Sequence, residues 1–61
     1  MQIRNDTGKQ VLVRDHGTKK WLKAVVLHVE RLDDNNQPNG WSVELRNGNR
    51  GMYDNEHLQF V

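Results

Sequence analysis

Lys19, Trp21 and Lys23 are spaced two residues apart, so in an extended chain all three side chains project to one side. An indole plane then stands between two ammonium groups. Nucleic acid asks for this combination: a base stacked on an exposed Trp contributes about 1–3 kcal/mol, while neighbouring cations hold the phosphates. Lys9, Arg14, Lys20, Arg46 and Arg50 widen the basic surface if the first strand and the Asn47-Gly48 turn lie beside the Trp21 segment. The plainer expectation is that Trp21 is a core or rim residue and that the lysines solvate an edge.

A second binding chemistry needs aromatic walls. Trp21, Trp41, Tyr53 and Phe60 are the four aromatic residues of the chain, and grouped together they would attract a methylammonium by cation–π interaction. The same four must also build the core, and Trp41 is expected inside.

No residue set points to catalysis. His16, His28 and His57 lack metal-site spacing, there is no cysteine, and none of the three lies beside a plausible nucleophile. Ser42 sits alone on an alternating segment, Asp33-Asp34 has no partner carboxylate at a defined spacing, and Gly48 and Gly51 do not form a phosphate loop. We therefore expect no enzyme activity, cofactor, metal or small-molecule substrate.

The elements that must position these residues fit in 61 residues, which is room for one domain near the lower limit of independent folding. Without cysteines, its stability has to come from packing. No stretch approaches the ~20 apolar residues of a membrane span, and the first residues lack a signal-peptide core. The expectation is a soluble intracellular protein, cytoplasmic or in the nucleoid or nucleus, not secreted and with no membrane partner. The net charge of +1 conceals a split, because residues 1–23 hold six basic and two acidic side chains, whereas residues 24–61 hold three and six. Such a split can put a basic patch on a nearly neutral molecule.

Turn signals at Asn5-Asp6-Thr7-Gly8, Asp15-His16-Gly17-Thr18, Asp33 to Gly40, Asn47-Gly48 and Asp54 to His57 cut the chain into short pieces. Between them, Gln10 to Arg14 reads as a strand, and Trp41, Val43 and Leu45 alternate on one face. Asn47-Gly48 predicts a type I′ hairpin returning through Gly51-Met52-Tyr53, followed by a closing strand, Leu58 to Val61. Residues 1–8 read as a loosely ordered segment or an extra N-terminal strand.

The long apolar run is open to two readings. As a helix over residues 19–32, Trp21, Leu22, Val25, Val26, Val29 and Leu32 share one stripe, giving an α+β fold. As a strand it would extend ~40 Å at about 3.3 Å per residue, so it must bend, and bending would explain why both of its faces are apolar. Three valines in five residues favour the strand. The expected fold is all-β, a small five-stranded barrel.

In this order of elements the chain resembles SH3-like small barrels of the Tudor and KOW kind. The resemblance is carried by Gly8-Lys9-Gln10-Val11-Leu12-Val13-Arg14-Asp15, by Trp21 with Ala24 and Val26, by Trp41 to Leu45 with Asn47-Gly48, and by His57-Leu58. The layout is also similar to the C-terminal DNA-binding barrel of retroelement and retroviral integrases. It covers residues 8–61 and implies a binding module. KOW and integrase-type barrels imply nucleic acid, DNA or RNA, as partner; Tudor-type barrels imply methylated lysine or arginine. A third expectation is a protein-interaction module or small regulator that docks on a partner protein.

Overall fold

The computed structural model describes residues 5–61, all of whose regular structure is β. Five strands follow one another: β1 (Gln10–Arg14), β2 (Trp21–Leu32), β3 (Pro38–Leu45), β4 (Arg50–Asp54) and β5 (Leu58–Phe60). They form one antiparallel sheet in the order β4-β3-β2-β1-β5. Residues 19–32 are therefore not a helix, and no helix among the described residues is long and apolar enough to cross a membrane. The readings for residues 1–4 lie outside the described residues.

The inner face collects Val11, Val13, Ala24, Val26, Trp41, Val43, Tyr53 and Leu58 into one buried cluster, with Leu22, Val29 and Leu45 packed against it. All five strands contribute. A sheet whose end strands both send side chains into one cluster has to curl, and the register shows where β2 does so. Val26 pairs with Val43 and His28 with Ser42, so Leu27 is an extra residue on β2; Glu30 is extra in the same way between Val29 and Arg31. Such bulges bend a strand and sharpen its twist. The bulge at Leu27 also changes which residues face inward. Leu22, Ala24 and Val26 point to the core before it, and Val29 does so after it. This is why both parities of the run are apolar, with one exception: Val25 stays on the outer face, 41% exposed.

Two turns differ from their sequence readings. The loop after β2 ends at Gln37, because Asp33 Oδ1 accepts the backbone N–H groups of Asn35 (2.8 Å) and Gln37 (2.9 Å) and Asn36 takes the positive φ of 61°. Pro38 and Gly40 are thereby released to pair with Leu32 and Arg31 as the start of β3. At the β3–β4 connection only Gly48 has positive φ (89°), and its N–H donates to Leu45 O at 3.0 Å, while Leu45 N–H donates to Asn49 O at 2.8 Å. The turn therefore closes over Arg46 and Asn47 with Gly48 in the left-handed position, a longer hairpin than type I′.

The N-terminal turn is tied down by a buried carboxylate. Asp6 is fully buried, and it accepts the indole N–H of Trp41 at 3.0 Å through Oδ2 and the Lys9 ammonium at 3.0 Å through Oδ1. Gly8, at φ 85°, donates its N–H to Val26 O, and Val26 donates back to Lys9 O. Residues 6–9 thus close over the Val26 region of β2, beside Trp41 at the centre of the core.

Candidate functional site

The outer face of the β1–β2 ladder takes its composition from strand alternation. Trp21 lies directly across from Arg14, Lys23 across from Leu12, and Val25 across from Gln10. Because Val11, Val13, Ala24 and Val26 face the core, these six residues face outward. Trp21 is 40% exposed, and Arg14 and Lys23 are exposed. Directly opposed side chains on one face have Cβ atoms about 4.5–5.5 Å apart, so the Arg14 and Trp21 side chains start as neighbours. Arg46, one residue past Leu45, alternates to this same side and lines it together with Lys23.

Lys19 and Lys20 stand at the rim, placed by the β1–β2 turn. Asp15 Oδ2 accepts the N–H of Gly17 (3.0 Å), the N–H of Thr18 (2.7 Å) and the Thr18 hydroxyl (3.0 Å). The Thr18 N–H above all, with the other donors, holds the Asp15 carboxyl below its ordinary value of 3.8. Lys19 then closes the turn in the left-handed conformation at φ 64°, its N–H donating to Asp15 O, while Asp15 N–H donates to Lys20 O and begins the ladder.

Among the described residues, the ion pairs are Lys9–Asp6, Arg50–Glu44 (3.6 Å), His28–Glu30 and His57–Asp54 (2.7 Å). Arg14, Lys19, Lys20, Lys23 and Arg46 take part in none of them. The acidic residues Glu30, Asp33 and Asp34 lie toward the far end of β2 from Trp21, along a molecule 37 Å in its longest dimension. Three of the six acidic residues of residues 24–61 thus lie at the end of β2 away from Trp21, while Glu44 is across from Val25 and Asp54 and Glu56 sit at the β4–β5 turn.

Not all of the expected basic residues join this surface. Lys9 is committed to Asp6 and lies 5.8 Å from the centre of the Phe60 ring, and Arg50 is paired with Glu44 at the β4 end of the sheet. Gly51, beside Arg50, is filled from within: a Cβ there would meet the Tyr53 ring at 3.1 Å.

The four aromatic residues do not form one surface. Trp41 is 1% exposed and paired with Tyr53, itself buried, and Phe60 packs edge-on against Trp41 with ring centres 5.4 Å apart. Trp21 is on the opposite face of the sheet, so the indole that binds Asp6 and the indole that meets solvent cannot wall a common cage. Sequence reasoning missed Val25 as a surface residue and Asp6 as a core one. The signal for Asp6 was a buried Trp, whose N–H requires an acceptor.

A second polar cluster joins the β1–β2 and β4–β5 turns. His16 stacks on Tyr53 with ring centres 5.8 Å apart, and its ring is 5.0 Å from that of His57. His57 Nδ1–H donates to Asp54 Oδ1; that bond foremost, with the Glu56 and His57 backbone N–H groups, holds the Asp54 carboxyl below its ordinary value. No group of three or more His, Cys, Asp or Glu that could hold a metal ion occurs among the described residues. Compared with known proteins, the chain matches no family model, no curated protein and no solved structure.

Proposed function

We propose that the chain is a non-enzymatic binding module of SH3-like layout whose outer β1–β2 face binds nucleic acid, mainly through phosphates and with little reading of sequence. The observation that carries this reading is Trp21, exposed on a strand face between Arg14 and Lys23, with Lys19 and Lys20 at the rim and Arg46 beside Lys23, none of the five cations forming an ion pair among the described residues. Cations outside ion pairs with the described residues keep their charge available to phosphates. Each phosphate they neutralise releases condensed counterions, and this release is the main source of sequence-independent affinity. Trp21 adds stacking, which every base can accept. The resemblance to KOW and integrase-type barrels supports the same partner class.

The test is binding of labelled single-stranded and duplex oligonucleotides across a salt series, with variants confirmed as folded by circular dichroism. Three to five phosphate contacts predict log–log salt slopes of roughly −2 to −4. Trp21→Ala should weaken binding roughly 5- to 150-fold, the equivalent of about 1–3 kcal/mol of stacking. Unchanged affinity in folded Trp21→Ala and Lys23→Glu variants would refute the assignment. Absence of binding at low salt would move it to a protein partner.

A further inference from the structure

The outer face carries more apolar surface than phosphate binding uses, and that surface has a pattern. Trp21, Leu12 and Val25 succeed one another diagonally across the β1–β2 ladder, since Leu12 pairs with Lys23, which lies between Trp21 and Val25 on β2. Trp21 and Val25 are 40% and 41% exposed and Leu12 is half-buried. Beside them an open trough of about 590 Å³ is lined by Gln10, Leu12, Lys23, Val25 and Arg46, and by Glu44, which lies directly across from Val25 on β3. Glu44 is turned to Arg50, 3.6 Å away, so its charge is partly answered. An apolar zigzag thus runs past Arg14, Lys23 and Arg46 and ends beside the Arg50-paired Glu44.

We infer that the ligand of this face is a single-stranded polynucleotide rather than a duplex; the inference rests on the nucleic-acid reading above. A duplex keeps its base faces stacked inside and presents phosphates and sugars, which would lose water over Leu12 and Val25 without gaining a partner. A single strand offers unstacked base faces that need apolar platforms, with phosphates alternating between them for Arg14, Lys23 and Arg46 to hold. Reading a duplex through its major groove takes a helix or a two-stranded ribbon that can enter it. The tip of the β2–β3 hairpin, which runs beyond Gly40, the β3 residue paired with the end of β4, carries Asp33 and Asp34, charges that repel phosphate.

The experiment measures anisotropy of labelled oligo(dT), oligo(rU) and a mixed-sequence duplex, each on the order of twelve nucleotides per strand, with the full chain and its Val25→Thr variant at low salt. Threonine keeps the β-branched shape and adds no charge. The expected result is that one or both single strands bind at least about tenfold more tightly than the duplex, and that Val25→Thr weakens single-strand binding about three- to tenfold while leaving duplex binding unchanged. The comparison of oligo(dT) with oligo(rU) identifies the sugar preferred. Equal or tighter duplex binding, or an equal effect of Val25→Thr on both forms, overturns the single-strand inference and leaves the nucleic-acid reading standing. Failure of all three probes to bind overturns both.

Discussion

Replacing Asp6 with alanine tests whether a turn residue far from the core in sequence is part of it in energy. The carboxylate is fully buried and takes the Trp41 indole N–H at 3.0 Å, from a residue 35 positions away. A hydrogen bond to a charged group contributes about 1.5–3 kcal/mol, and its loss leaves a buried N–H without an acceptor. The Lys9 ion pair, whose lysine side chain is half exposed, adds roughly 0–1 kcal/mol. Asp6→Ala should therefore destabilise the fold by about 3 kcal/mol. At about 4–8 °C per kcal/mol for a domain of this size, that lowers Tm by roughly 12–24 °C. Total stability for 61 residues is about 3–9 kcal/mol at 0.05–0.15 kcal/mol per residue, so the variant sits near the edge of unfolding. Urea titration followed by far-UV circular dichroism is the suitable assay, because it reads Trp41→Phe and the double variant equally well. The cycle should return a coupling of about 1.5–3 kcal/mol. A loss below about 1 kcal/mol in Asp6→Ala, or strict additivity with Trp41→Phe, would refute the reasoning.

The two turns carry further predictions. Lys19→Gly relieves a left-handed non-glycine residue and should raise Tm by about 2–4 °C, the equivalent of roughly 0.5 kcal/mol, whereas Lys19→Ala should not; a glycine variant no more stable than the alanine one would contradict this. Asp15 and Asp54 have folded-state carboxyls held below 3.8, so each contributes stability that is present above about pH 4 and is lost as pH falls through the depressed value. Asp54→Asn, which also weakens the bond from His57, should flatten the acid limb of Tm against pH below pH 4. An unaltered acid limb would remove Asp54 from the account.

What was legible in the sequence is what depends on neighbours along the chain. Val11 with Val13, and Trp41 with Val43 and Leu45, alternate as strands facing one core, and the core is where they are found. The five strands and the need for β2 to bend were readable for the same reason. The bulge positions were not, because an extra residue at Leu27 is decided by pairing with Ser42 and Val43 across the ladder. That shift is what brings Val29 inward while Val25, between the core residues Ala24 and Val26, stays outside. Asp6 was hidden differently: Asn5-Asp6-Thr7-Gly8 looks like any polar turn, and its partner is a distant indole. The site was half legible. The alternation of Trp21 and Lys23 fixed their common side, but the inclusion of Arg14 and Arg46, and the diversion of Lys9 and Arg50 into ion pairs, follow from register.

The bulge at Leu27 gives β2 two reading frames. Before it, even-numbered positions belong to the core; after it, Val29 does. Deleting that one residue would leave Val26, His28 and Val29 in simple alternation against Val43, Ser42 and Trp41, with His28 still outward and Val29 still inward, and would remove the bend that the bulge provides. For the history of such a chain, the basic, aromatic start of β2 and the acidic hairpin tip are separable inheritances. Substitutions can reshape either alone, whereas a one-residue insertion or deletion at a paired position of β2 would slip the ladder and turn core positions outward.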